Sequence, residues 1–475
     1  MEVVLDIGWV LRSLNRPARL PVSSTASLAA EVYTRAKEAK AETSSIVYLK
    51  APSPVEVDPI LHTRPADILR ELSVATTFLT DSPFVPVARH WAHVRYCATL
   101  DSPCGQLRLS KNAAEAVVHH HKVAQSEQLG IGLALVVARA VLAKKYPRWH
   151  FDAVDADVAL KAGFIDDVSD DVRNEPGTKK RPDYFLIGRH RADGRAGLRV
   201  VVLECKGTHG PPGDVIKQLG DACLQVGTVA VGNHPLYGLM IASRLTERRI
   251  ESFALDPPGD VELWSGEDEA YAQLLTEPPA QEQWARNETH PVTTLTQQSP
   301  QPGPGETRGT GTVPEVLEEP AQVPPPPYNI PEDRKRWLAQ VLSRTTAASV
   351  LMFAGDRSAA AGYGTLRQIG QPDDALPFPL EWADTIGRKI RMPGGGPVLE
   401  GTTYSMPIAD GRRLEVFRGV ERRLHRRLAD GDLRGYLNNA SRLRRWWTAR
   451  RRPPPGDVFS VGEDGTAMII RLLDK

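Results

Sequence analysis

Apolar residues spaced three and four apart alternate along this chain with shorter runs that are apolar at every second position or throughout. These are the patterns of helices and strands respectively. The first helical pattern lies near Leu28–Lys40 and the first strand pattern near Ser45–Leu49. Asn112 to Lys145 carries a long apolar face without proline, which predicts a helix. Phe151–Leu160 alternates and predicts a strand. Arg181–Ile187 predicts a second strand, with Pro182 at its entrance, where proline is tolerated. Asp193-Gly194 suits a hairpin into a third strand, Arg199–Lys206. Gly207, Gly210, Pro211, Pro212 and Gly213 break the chain, and Asp214 is placed to cap a helix over Val215–Val226. Thr228–Val231 and Tyr237–Ala242 predict further strands. This order predicts an α/β fold, a central mixed β-sheet flanked by helices.

The periodic pattern lapses from about 283 to 330, where Pro, Gly, Thr, Gln and Glu dominate and Pro324–Pro327 close the run. Such a composition reads as a disordered or extended linker. The expected division is therefore four-fold: an N-terminal α/β region (1–105) without an interpretable motif, a central domain (106–282), the linker (283–330), and a separate basic C-terminal α+β domain (331–475). In the last part, Glu421–Ala429 and Leu433–Thr448 read as helices, and Val458–Val461 with Ala467–Leu472 as a terminal hairpin. The chain has no internal repeat.

A length of 475 residues implies more than one typical domain, and 41% hydrophobic with 25% charged residues is ordinary for a soluble protein. The net charge of +1 excludes a polycation. Cys97, Cys104, Cys205 and Cys223 include no Cys-x-x-Cys pair, which argues against a zinc ribbon or a disulfide framework and for a reducing, cytoplasmic setting. No signal peptide is evident at Met1–Asp6, and Leu129–Ala143, interrupted by Arg139, reads as a buried helix that falls short of a membrane span.

Against this background, two predicted strands carry charges where a core strand should have none. Asp183 opens the apolar run Tyr184–Ile187, and Glu204 and Lys206 end the run Val200–Leu203. Alternation puts Glu204 and Lys206 on one face and Cys205 on the other. Ionised groups there are costly unless paired or metal-bound. Over residues 110–250, Pro182-Asp183, Glu204-Cys205-Lys206 and the surrounding order of elements resemble the PD-(D/E)xK nuclease superfamily, the restriction-endonuclease-like fold. The resemblance implies hydrolysis of phosphodiester bonds with Mg2+ (or Mn2+), held by Asp183, Glu204 and the backbone carbonyl of Cys205. Mg2+ takes oxygen ligands and keeps several waters, so two carboxylates suffice as anchors. Lys206 would orient or help deprotonate the water and stabilise charge on the phosphate.

Relatives of that superfamily often add an acidic residue on the preceding helix, here Glu127 with Glu115 as the alternative, and a glutamine on the following helix, here Gln218 with Gln225 as its rival. Gly130 and Gly132 would let the preceding helix pack closely on the sheet. Lys179, Lys180 and Arg181 are candidates for contact with substrate phosphates. Thr208 and His209 could bind a phosphate, and Asp155 or Asp157 could reach a second metal. His119-His120-His121 point to different helix faces and make a poor metal site. From Arg412 to Arg452 there are 14 arginines and four acids. Arg442, Arg444, Arg445, Trp446 and Arg450 form a candidate nucleic-acid surface, arginine for phosphates and aromatics for bases. The competing reading is an amphipathic helix with core tryptophans and arginines that are solvated or contact a protein partner.

The reading that results is a Mg2+-dependent nuclease acting on nucleic acid, DNA favoured, in defence against foreign DNA. A catalytically idle DNA-binding or scaffold protein of the same fold, and a repair or recombination nuclease controlled by a partner, are the alternatives. Homo-oligomerisation stays open, and no membrane partner is expected.

Overall fold

The computed structural model describes residues 7–43, 49–77, 90, 93–162, 181–192, 195–260, 262–276, 328–364, 368, 385–408, 411–450 and 456–474. Residues 45–48 of the first predicted strand, the Asp193-Gly194 turn and linker residues 283–327 lie outside them.

The helices are α1 (Ile7–Asn15), α2 (Ala26–Thr43), α3 (Pro65–Ala75), α4 (Lys111–Glu115), α5 (His119–Lys145), α6 (Ala156–Lys161), α7 (Pro212–Val226), α8 (Asp268–Thr276), α9 (Lys335–Ala354), α10 (Arg357–Ala361), α11 (Arg422–Ala429), α12 (Leu433–Asn439) and α13 (Arg442–Arg450). The strands are β1 (Ala18–Ser23), β2 (Ser53–Pro54), β3 (Ile60–Thr63), β4 (Leu100–Asp101), β5 (Arg108–Leu109), β6 (His150–Asp155), β7 (Tyr184–Ala192), β8 (Arg195–Thr208), β9 (Val229–Val231), β10 (His234–Pro235), β11 (Gly238–Leu245), β12 (Ile250–Asp256), β13 (Glu262–Glu267), β14 (Tyr328–Ile330), β15 (Thr385–Arg391), β16 (Val398–Pro407), β17 (Arg413–Glu421), β18 (Val458–Val461) and β19 (Thr466–Leu473).

The architecture is mixed α/β. A nine-stranded sheet runs in the order β3-β1-β12-β11-β8-β7-β6, with β13 added to β8 and β2 to β12. The pairs β8/β11 and β1/β12 are parallel, and the others in this sheet are antiparallel. Period-two alternation divides β8 between two cores. Leu203 and Cys205 face α3 and α5, whereas Val200 and Val202 face α7 and α9.

Several boundaries differ from the sequence reading. The long helix breaks at residues 116–118 into α4 and α5. The predicted strand 151–160 stops at Asp155, whose carboxylate caps α6 by accepting the Val158 N–H at 3.0 Å. Asp214 does not cap α7, because the helix starts at Pro212 with Pro211 as N-cap. A proline at the first helical position needs no N–H partner. Val229–Val231 leaves the main sheet and pairs with β10 and β14, so the last three residues of the predicted linker form a strand. The predicted helix 433–448 is two helices, α12 and α13.

The four-part division does not match the packing. The strands β1 and β3, from the N-terminal region, extend the main sheet through β12. Residues after 331 share cores with residues before 277. In α9, Leu338, Val341 and Leu351 join the cluster that holds Phe185 and Val202. Val416, Met468 and Ile470, from the antiparallel sheet β15-β16-β17-β19-β18, join the cluster that holds Leu203 and Cys205. Composition marks the segment between 283 and 330 but carries no information about which apolar faces meet across it. The helix α5 is, among the described residues, the one long and apolar enough to cross a membrane, and 61% of its apolar window is buried inside the protein.

Candidate active site

The β7/β8 register pairs Tyr184 with Leu203, which sets Asp183 beside Glu204 where the two strands leave the hairpin ladder. The main chain locks this corner. The Asp183 N–H donates to Glu204 Oε2 at 3.0 Å, and the Cys205 N–H donates to Asp183 Oδ2 at 2.8 Å. Lys206 Nζ bonds Glu204 Oε1. Glu204 has no exposed surface, while the Lys206 side chain is 23% exposed. Asp183, Glu204 and Lys206 are thus together. The Cys205 side chain lies on the opposite face of β8, buried with Leu203.

Burial dominates the electrostatics. It pushes the Glu204 carboxyl up to about 8, with the Asp183 charge adding to the rise and Lys206 opposing it. Burial also raises Asp183, Lys206 lowers it, and Glu127 adds to the rise. For the Lys206 ammonium, burial works against the charge, but Glu204 and Asp183 outweigh it, and the pKa stands above the ordinary lysine value. Two buried carboxylates thus share one ammonium, an arrangement with room for a further positive charge. The donor set, all oxygen, fits a hard divalent cation such as Mg2+. Among the described residues, no group of three or more His, Cys, Asp or Glu is placed to hold a metal.

Two helices close on this corner. In α5, Gly130 sits directly on β8: a Cβ there would lie 3.0 Å from Gly207 Cα, and a Cβ on Gly207 would overlap the Ser126 carbonyl oxygen. This approach brings Glu127, exposed on α5, close enough for its charge to act on Asp183. Gly132, read as a sheet contact, instead faces α3, with Ile68 O 2.6 Å from a Cβ built there. From α7, Gln218 Nε2 donates to the Gly207 carbonyl at 3.3 Å, and its Oε1 is buried with no hydrogen-bond partner among the described residues. Gln225 donates to the Arg181 carbonyl at 3.2 Å. The two glutamines therefore brace the ends of β8 and β7 respectively.

The remaining candidates scatter. Arg181 forms an ion pair with Asp157 at 2.6 Å, which occupies both residues, and Lys179 and Lys180 lie outside the described residues. Asp155 is spent on capping α6. His209 anchors its Nδ1 on the Leu245 carbonyl at 3.1 Å, and Thr208 Oγ1 accepts the Gly210 N–H at 2.9 Å. Glu115 and His209 line a separate cleft of about 270 Å3 with Lys122. His119, His120 and His121 are all exposed. On α13, Trp447 is buried against Phe459, and half-buried Trp446 packs over Gly396. Arg444 turns inward to the Val461 carbonyl at 2.8 Å. Arg442 and Arg445 are exposed. Arg450 ends the helix. Trp447 is thus a core residue and Trp446 packs half-buried against the same core, and of the proposed basic surface Arg442 and Arg445 are exposed.

Sequence reasoning missed a buried polar seam. Arg70 on α3 donates to Ser460 Oγ and Thr466 Oγ1, each at 3.2 Å, and pairs with Glu71, which also takes Arg139 at 3.0 Å. A hint was present in the sequence, since Arg70-Glu71 interrupt an otherwise apolar helix face.

Comparison with family models, curated proteins and solved structures finds no match to this chain.

Proposed function

We propose that this protein is a divalent-metal-dependent nuclease of the PD-(D/E)xK type, hydrolysing phosphodiester bonds of DNA. The observation that carries the reading is the corner itself: a fully buried Glu204, Asp183 hydrogen-bonded to its strand, and Lys206 on the same face. Asp183, Glu204 and the Cys205 carbonyl would hold the cation. When bound, the cation would lower the pKa of a water and stabilise charge on the phosphate. Lys206, 23% exposed, would supply a positive charge to a substrate phosphate. Gln218 holds the Gly207 carbonyl and so keeps the strand end rigid. A defence role in the cytoplasm is the setting we infer.

The test is a cleavage panel of plasmid, linear duplex, single-stranded DNA and RNA, with and without Mg2+ or Mn2+. Wild type should cut DNA only with metal. Lys206→Ala should lose about a hundredfold or more, the typical contribution of a positioned proton-transfer or charge-stabilising group. Equal cleavage by both proteins sinks the assignment. That only two carboxylates converge, among the described residues, favours one alternative, a catalytically idle DNA-binding or scaffold protein of this fold. Calorimetry with Mn2+ separates the two, since the idle protein would bind DNA without binding the metal.

A further inference from the structure

A cleft of about 420 Å3 opens between the β6–β7 edge of the main sheet and helices α8 and α12. It stands apart from the Asp183 corner. Arg189, which lines it, follows Asp183 by six residues, about 20 Å of extended strand. Its volume lies within the range of small-ligand sites.

The lining has two characters. Arg148, Arg189 and Arg434 supply positive charge. Of the two carboxylates nearby, Asp152 is paired with Arg189, and Glu463 is bound to His150 at 2.8 Å. Among the described residues neither is left to neutralise Arg148, and the one carboxylate Arg434 reaches is Glu269, 84% exposed to solvent, at 3.4 Å. The Arg189 side chain is 11% exposed, yet its Nη1 is buried with no hydrogen-bond partner among the described residues. A buried guanidinium donor lacking an acceptor is uncommon and calls for an explanation. Because that atom has no exposed surface, the charge open to a ligand is that of Arg148 and Arg434, and guanidinium matches phosphate geometry. The second character is apolar: buried Tyr271 and Leu275 and half-buried Leu437 also line the cleft, and His190 stacks on Trp149 with ring centroids 5.4 Å apart.

We propose that this cleft binds a nucleoside monophosphate, with the base against Leu437 on the α8/α12 side and the phosphate toward Arg148 and Arg434. The site is independent of the nuclease reading and of any metal at Asp183.

Titration calorimetry on the full chain with AMP, GMP, CMP and UMP, and with adenosine and inorganic phosphate as partial ligands, tests it. At least one nucleotide should bind with one-to-one stoichiometry, and adenosine and phosphate should each bind at least about tenfold more weakly, as expected when charge-assisted and apolar contacts both contribute. The double variant Arg148→Glu/Arg434→Glu, which leaves the Arg189–Asp152 pair intact, should weaken binding by about tenfold or more at unchanged melting temperature. Lys206→Ala should bind the nucleotide like wild type, which keeps this result separate from failure of the nuclease reading. The proposal is overturned if none of the four nucleotides binds or if phosphate alone binds as tightly as the nucleotide. Unaltered binding by the double variant, or loss of binding in Lys206→Ala, overturns it equally.

Discussion

At the scale of single residues, the candidate site was legible because its chemistry contradicts its surroundings. A carboxylate and an ammonium two residues apart at the end of Val200–Leu203 can share one face only, and the structure puts Glu204 and Lys206 together there. What could not be read was the capture of neighbouring charges by local partners. Asp155 continues an alternating pattern, but its carboxylate turns a strand into a helix cap. Arg181 lies beside the motif but pairs with Asp157. The raised pKa of Glu204, about 8 and caused first by burial, leads to a prediction with a definite sign. Below about pH 8 the metal-free carboxyl holds a proton, so a cation has to displace it. Metal affinity should therefore rise with pH and level off above about pH 8, with a proton released at pH 7. Calorimetry in two buffers of different ionisation enthalpy measures that proton. A pH-independent affinity would show that Glu204 is not a ligand. The same shift makes the metal-free protein less stable as pH rises from the ordinary carboxylate value toward 8, because over that window the folded state binds more protons than the unfolded one.

At the scale of elements, the position of the corner depends on one close approach, α5 onto the end of β8. Gly130 and Gly207 meet backbone to backbone, and no larger residue fits at Gly207 without moving Ser126. Gly207→Ala should therefore destabilise the protein by about 1–3 kcal/mol, the usual cost of overpacking, and shift Glu127 away from Asp183. Thermal unfolding reads the first effect, and metal affinity reads the second. Gly213, which has open space around a Cβ, is the control: Gly213→Ala should leave melting nearly unchanged. The sequence reading found these helices and the hairpin because their periods of 3.6 and 2 are long and clean. It failed at β14 and at the α12/α13 break, where elements of a few residues are decided by what they pack against.

At the scale of the whole molecule, the boundaries inferred from composition missed the contacts that unite the chain. The seam of Arg70, Glu71 and Arg139 with Ser460 and Thr466 joins α3 and α5 to the last hairpin. Removing Glu71 takes from Arg70 and Arg139 the carboxylate they share. Glu71→Ala should cost about 3–5 kcal/mol in denaturant unfolding, far more than loss of an exposed ion pair such as Arg35–Glu38. Because the nine tryptophans lie on both sides of that seam, their fluorescence should change together with far-UV circular dichroism in a single transition. Two separate transitions would mean that residues after 331 unfold on their own.

The placement of α9 has one more consequence. Its apolar residues complete a core whose other half comes from strands before Thr276, so neither half of the chain can hide its own hydrophobic surface. Two polypeptides, one ending after Thr276 and one beginning before Tyr328, should behave as complementing fragments. Each should aggregate when expressed alone, and co-expressed they should purify as a stoichiometric heterodimer in which a cut peptide chain is tolerated because the interface is a protein interior.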